Sequence, residues 1–331
     1  GGYLTKLNRK TEQSQEVSVY PENPVGNAAE THKYRFQWTY PIVFSPHNPK
    51  ILYACGNHVF RSGDEGMSWE MISPDLTSND KTKQQSSGGM ITKDNTGVET
   101  YCTIFTFAES PTEQGVLWAG SDDGLIHISR NNGITWTNIT PKELPKFSLI
   151  SMIEPSHFDK GTAFITATRY KSSDDQTPYL YRTTNFGSTW EQITNGIPQN
   201  AYTRVIREDL WKNGLLYAGT ETGIFVSFNN GGDWQPLQHN LPITPIHDLI
   251  LHPKEKDLIV ATHGRSFWIL DDLTPLHEII TGKNEIENSI AYLFAPRHAY
   301  RIDGGSYHAD GMQTGENAPN GVLINYYIPS P

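Results

Sequence analysis

The sequence predicts an all-β chain: a β-propeller of four-stranded blades, about five of them here, forming part of a larger ring. Three observations predict it. A phrase recurs at residues 62–69 (SGDEGMSW), 129–136 (SRNNGITW), 183–190 (TTNFGSTW) and 227–234 (SFNNGGDW), each time with a hydroxyl residue, Asp or Asn two later, Gly four later and Trp seven later. A second, apolar phrase recurs at 51–56 (ILYACG), 116–121 (VLWAGS), 163–168 (AFITAT), 215–220 (LLYAGT) and 258–263 (LIVATH). The spacing of roughly 45 to 65 residues suits propeller blades; it is too long for a leucine-rich horseshoe and carries no helical periodicity.

The elements follow in order within each unit. An opening apolar stretch comes first, at 38–44, 101–107, 148–153, 203–206 and 246–251. The apolar phrase follows; its β-branched and aromatic residues, ending in small or turn residues, read as a buried strand. A third strand follows at 58–61, 125–128, 179–182, 223–226 and 266–270, then the box, whose Trp opens a fourth strand, as in 69–72 and 136–139. The fifth unit has Asp271 and Asp272 where its box should be.

Around this core, residues 1–30 read as the closing hairpin of a preceding blade, 31–275 as the blades and 276–321 as a ring-closing or linker segment. That segment has a short helix at 276–280, a strand at 291–294 and a Gly-rich loop at 306–320. Residues 322–331 open a following domain. Gly1-Gly2-Tyr3 reads as interior sequence, so further blades of the same protein are expected before residue 1. Two departures from the period stand out: a polar insertion at 73–99 and a lengthened hairpin at 170–177. Long loops in a compact repeat are commonly functional or disordered.

Composition narrows the classes. A formal charge of −10 argues against a nucleic-acid surface. Apolar runs stay short of the ~18 residues of a membrane-spanning helix. Cys55 and Cys102 either bridge neighbouring blades or stand as buried free thiols, the commoner fate of such residues. No phosphate loop, nucleophile elbow or metal-ligand run is present, so no cofactor or metal is expected.

The box makes sense as a fold element. Its short polar side chains can hold turn backbone, its Gly supplies a conformation other residues resist, and its Trp buries a large ring between blades. A calcium ring is the competing reading, weakened because three of the four boxes carry Asn. The boxes resemble the Asp-box, or BNR, repeat of sialidases, family 74 xyloglucanases and sortilin-type receptors. Residues 34–38 (YRFQW), 42–46 (IVFSP), 73–77 (SPDLT), 92–96 (TKDNT), 119–124 (AGSDDG) and 261–272 (ATHGRSFWILDD) resemble large bacterial sortilin-like propellers often labelled glycosyl hydrolases. That resemblance implies a propeller beginning before Gly1 and a β-sandwich beginning near Val322; it implies no established reaction.

If the first strand is innermost, the boxes fall on one rim, and the strand 2–3 turns and blade connections share the other, where binding loops belong. Binding candidates there are Arg35, Arg169, Tyr170, Arg204, His247, His263 and Arg265, for a protein, peptide or glycan ligand. A glycoside hydrolase is the alternative; it needs two carboxylates ~5 or ~6.5–9.5 Å apart, with Asp94, Glu99, Asp122, Asp123 and Asp248 as candidates. A sialidase would instead gather Arg35, Arg204 and Arg265. Bland readings compete throughout: Asp122-Asp123-Gly124 as a hairpin turn, Arg265 paired with Asp271 or Asp272, Arg204 and Arg207 bracing Glu208 and Asp209, and His247-Asp248 as a capped turn. The setting expected is secreted, periplasmic or cell-surface.

Overall fold

A computed structural model describes residues 1–88, 91, 93–97, 99–299 and 321–329. Blades 1 to 4 are antiparallel sheets whose four strands lie in chain order. Their first strands are Ile42–Phe44, Ile104–Glu109, Leu149–Pro155 and Thr203–Glu208. The first strands of consecutive blades from 2 to 5 lie side by side, so they are innermost. Second strands such as Leu117–Ser121 and Leu216–Thr220 are buried along their whole length, as their near-continuous apolar sequences demand. Gly219 permits a close approach between blades 4 and 5: a Cβ there would stand 2.7 Å from Ile246. Cys55 and Cys102 are both buried free thiols.

Blade 5 departs from the expected four strands. Among the described residues it has three: Ile246–Leu251, Leu258–Thr262 and Phe267–Leu270. Without a box there is no turn to return the chain along the sheet. Instead it enters the helix Thr274–Glu287, longer than expected at both ends, with Pro275 in the first turn. Leu273 is fully buried, and Leu276 and Ile280 pack on the core shared by blades 4 and 5. Tyr292–Leu293 pairs with Tyr326–Tyr327. The Gly-rich loop expected at 306–320 lies outside the described residues.

All four boxes have one geometry. The leading hydroxyl accepts from the Gly N–H at 2.8 to 2.9 Å, and the Asp or Asn Oδ1 accepts from the backbone N–H two residues beyond that Gly at 2.9 Å. The box then reaches outside its own blade. Trp136 Nε1 donates to Ile72 O at 2.8 Å, Trp190 to Ile139 O at 2.6 Å and Trp234 to Ile193 O at 2.7 Å. Each acceptor directly follows the last strand of the preceding blade. The box Gly rests on the same residue: Gly187, at φ +79°, would place a Cβ 2.4 Å from Ile139 Cδ1. Trp69 bonds Val17 O at 3.0 Å, so Val17 stands to blade 1 as Ile72 stands to blade 2.

The two ends of the row differ from its middle. On blade 1, Ile42, Phe44 and Met71 are 45%, 63% and 50% exposed; on blade 5, Ile250, Phe267 and Ile269 are 55%, 77% and 58% exposed. Ile250, Ile259 and Ile269 are cross-strand neighbours on one face, while Leu249, Val260 and Trp268 on the other face pack towards blade 4.

The boxes therefore act as inter-blade staples. Trp234→Ala, at a side chain 4% exposed, is expected to cost about 3–5 kcal/mol. Gly187→Ala is expected to cost about 2–3 kcal/mol from overpacking and an unfavourable φ. Urea unfolding checks both; losses below about 0.5 kcal/mol, the scale of a neutral surface change, would remove the staple role.

Candidate functional site

The inner strands of blades 2 to 5 share an irregularity that brings the site together. Each shifts register against its second strand, and the residue passed over is Phe105, Ser151, Arg204 or His247 in turn. A bulge releases one residue from pairing and re-aims its side chain. All four line a cavity of about 740 Å³ at the mouth of the central channel, on the rim away from the boxes.

The cavity has two kinds of wall. From the side of blades 1 and 2 come Trp38, 68% exposed, with Tyr101, Phe105 and Glu99; Phe147 follows from the connection to blade 3. Lys83 of the polar insertion lies over the Phe147 ring, Nζ 4.7 Å from its centroid. Burial, with the charges of Asp122 and Asp123, pushes the Tyr101 hydroxyl up, so it stays a donor at neutral pH. From blades 3 to 5 come Arg169, Tyr170, Lys171, Arg204 and His247.

The lengthened hairpin builds much of this second wall. Its tip is a helical turn, Tyr170–Ser173, closed by Asp174 at φ 52°. Arg169 Nη1 donates to Asp175 at 2.9 Å across the base of the tip, and Tyr179 donates to the same oxygen at 2.8 Å. Tyr170 stacks on Tyr202 with centroids 4.5 Å apart and planes 15° off parallel. Arg204 spans both rings and donates to Glu221 from Nε at 3.1 Å and Nη2 at 2.7 Å. His247 lies against His263, ring centroids 4.7 Å apart. Burial lowers the His247 pKa, and the positive charges of Arg204, His263 and Lys171 lower it further.

The structure separates the sequence candidates. Arg169, Tyr170, Arg204 and His247 meet in the cavity, with His263 touching His247. Arg35 does not join them. It is 5% exposed and braces the insertion, with Nε on Cys102 O at 3.0 Å and Nη2 on Asp75 at 2.7 Å and Thr77 at 3.1 Å. Arg265 is exposed, lines no part of the cavity and has no ion pair among the described residues, so its expected partnership with Asp271 or Asp272 does not form. Arg35, Arg204 and Arg265 therefore make no carboxylate grip.

Of the carboxylates, Glu99 is exposed on the cavity and Asp122 lines it at 3% exposure. Asp122 accepts from Thr103 N at 2.9 Å and Thr103 Oγ1 at 2.7 Å. Asp123 anchors the insertion, accepting from Ser78 N at 2.8 Å and Ser78 Oγ at 2.7 Å. The side chain of Asp94 lies outside the described residues. His247 and Asp248 form no capped turn; they sit on the inner strand of blade 5, His247 at its bulge. Asp248 pairs with Arg207 at 2.9 Å, and Arg207 also bonds Glu154 at 2.9 Å and Leu249 O at 2.7 Å. Arg207 thus joins the inner strands of blades 3, 4 and 5 rather than bracing Glu208 and Asp209. Burial pushes the Glu154 carboxyl up, but Arg207 and His157 outweigh it and hold the carboxyl below its ordinary range.

Sequence reading missed Trp38, Tyr101, Phe105, Phe147 and Lys171. Phe105 had a signal: superposing the repeats puts it level with Ser151, Arg204 and His247. Trp38, Tyr101 and Phe147 precede the inner strands of their blades, and Lys171 lies in the lengthened hairpin.

No family model matches the chain. An oligoxyloglucan-reducing end-specific xyloglucanase of Emericella nidulans is 21% identical over 276 residues, 71% of this chain and 32% of that protein. The chain thus spans about a third of the length of the curated relative it matches. Among solved structures, the GH74 xyloglucanase from Xanthomonas campestris has a TM-score of 0.55 at 14% identity, covering 79% of this chain and 39% of its own. An ancestral GH74 enzyme has 0.52 at 16%, covering 73% and 28%. YCF48 from Cyanidioschyzon merolae has 0.51 at 12%, covering 78% and 73%. At these identities the likeness is one of fold, and the fold is the β-propeller.

Burial, helped by the neighbouring Asp123 charge, outweighs the Thr103 hydrogen bonds and raises the Asp122 pKa to about 7. An unfolded chain releases that proton near ~4. Between those values the folded state binds more protons, so this contribution is full below pH ~4 and is lost as pH rises through about 7. Asp122→Asn is expected to flatten the pH dependence of stability between pH 4.5 and 8, by on the order of 2–4 kcal/mol. Urea midpoints at both pH values check this; parallel curves for the two proteins would contradict it.

Proposed function

We propose that this chain is the glycan-holding part of a secreted or envelope-associated protein of glycoside-hydrolase type, with a polysaccharide lying across the channel mouth. The observation that carries the reading is the cavity itself. Aromatic rings of Trp38, Phe147 and Tyr170 line it together with hydrogen-bonding groups on Arg169, Arg204 and Glu99. A sugar ring presents apolar C–H faces and a rim of hydroxyls, and sites for such ligands pair apolar or aromatic walls with a few placed polar groups. The similarity to a xyloglucanase supports a glycan over a peptide. The exposed faces of blades 1 and 5 and the position of Val17 support further blades of the same protein covering those faces.

Hydrolysis is the second reading, favoured by Glu99 and Asp122 on the cavity. The usual route needs one protonated and one ionised carboxyl group. Asp122, with its raised pKa, fits the acid, and exposed Glu99 fits the base.

Calorimetric titration with xyloglucan oligosaccharides tests the binding reading. Trp38→Ala and Tyr170→Ala are each expected to weaken binding about five- to tenfold, the ~1–1.4 kcal/mol worth of one aromatic contact. No heat with any xyloglucan or other plant or bacterial polysaccharide would end it. Release of new reducing ends, abolished by Glu99→Gln in a folded protein, would establish cleavage.

A further inference from the structure

The second wall of the cavity carries more positive charge than the glycan reading requires. The chain is acidic, at −10, and its buried arginines are closely matched by acids. Arg35 pairs with Asp75, and Arg207 with both Glu154 and Asp248. At the mouth Arg169 pairs with Asp175 and Arg204 with Glu221, but the remaining cations have no acid partner among the described residues. Lys171 is exposed, with Nζ over the Tyr170 ring 5.8 Å from its centroid and no ion pair among the described residues. His247 and His263 are exposed, and neither ring has a hydrogen bond or ion pair among the described residues. Arg169 gives Nη1 to Asp175, while its buried Nε has no hydrogen-bond partner among the described residues.

Charge around His247 points the same way. Arg204, His263 and Lys171 face it with positive charge, and Glu221, already held by two Arg204 nitrogens, is the acid opposing them. Glu99 and Asp122 line the cavity from the side of blade 2. The mouth is therefore polarised: its cations come from blades 3 to 5, and Glu99 and Asp122 from the side of blade 2.

We propose that this mouth takes an anionic glycan, a sugar chain bearing carboxylate groups, with its acid groups against Arg169, Lys171, Arg204 and His247 and its ring faces against Trp38 and Phe147. The inference rests on the glycan reading above and names its ligand class. A planar carboxylate suits guanidinium and ammonium donors together. An anion there favours the imidazolium form of His247, so binding takes up a proton and tightens as pH falls. Glu221 remains neutralised by Arg204 throughout, and Asp122 loses its own charge over the same range, which adds to the trend.

The experiment is calorimetric titration of the protein with oligogalacturonides, neutral xyloglucan oligosaccharides and dextran sulfate at pH 5.5 and 8, in 0.15 M salt. Oligogalacturonides are expected to bind at least about tenfold more tightly than the neutral sugars, and more tightly at pH 5.5. Lys171→Ala and His247→Ala are each expected to weaken oligogalacturonide binding by about tenfold and neutral-sugar binding by less, and Lys171→Arg to restore the oligogalacturonide affinity. Because neither side chain is hydrogen-bonded, unchanged melting temperatures are expected for all three variants. Neutral sugars bound as tightly, with no response to either variant, would overturn the anionic assignment and leave glycan binding standing. Dextran sulfate bound in preference to oligogalacturonides would overturn the carboxylate. No binding of any of the three would overturn both readings.

Discussion

The bond from each box Trp to the last strand of the preceding blade is the constraint from which the other features follow. Trp136, Trp190 and Trp234 each present an indole N–H that a dry contact cannot leave unpaired, and each finds one backbone carbonyl on a neighbouring sheet. The Gly three residues earlier has no side chain, so the turn settles directly onto Ile72, Ile139 or Ile193. Together the two contacts fix where one blade sits on the next. They act at the outer edge, on the far rim, and so leave the inner strands free to carry irregularities that a channel mouth can use.

Those irregularities translate the fold into a site. A perfectly paired inner strand would send alternate side chains into the two blade interfaces and none towards the axis. The bulge at Phe105, Ser151, Arg204 and His247 breaks that alternation at one level in four consecutive blades. Chemically these four differ widely, while the backbone device that aims them is shared. The neighbours of each bulge remain core: Ile150, Val205 and Ile246 are fully buried. Repetition of the scaffold thus coexists with variation of the side chains that a ligand meets.

The sequence disclosed what is local. Ser62 to Trp69 and its copies could be read as turns because hydroxyl, Asx and Gly act on backbone within a few residues, and the apolar phrases could be read as buried strands by composition. Which arginines are available was not legible. Arg35 is buried between Asp75 and the carbonyl of Cys102, partners 40 and 67 residues away, whereas Arg204, paired with Glu221, looks no different in the sequence and lines the cavity. His247-Asp248 suggested a capped turn because the pair is polar within an apolar stretch; the bulge accounts for one residue and Arg207 for the other. Missing the three-stranded character of blade 5 has a similar origin, since Asp271-Asp272 marks the absence of a turn, and Leu273 is then drawn into the core beside it.

Electrostatics complete the argument about the mouth. In the interior, an unpaired charge costs several kcal/mol or more, so Arg207 there is held by two acids and a carbonyl. At an exposed rim the cost of an unpaired Lys171 is small, because water solvates it, and its presence alone would mean little. The combination carries the weight. Lys171, His247 and Arg169 line one cavity, with His263 against His247; Asp175 and Glu221 pair with Arg169 and Arg204, Asp123 is held by Ser78 and Asp248 by Arg207, and Glu99 stands on the opposite side of the cavity. Lys171 and His247, without acid partners among the described residues, are the groups on this wall that a ligand's negative charge can meet.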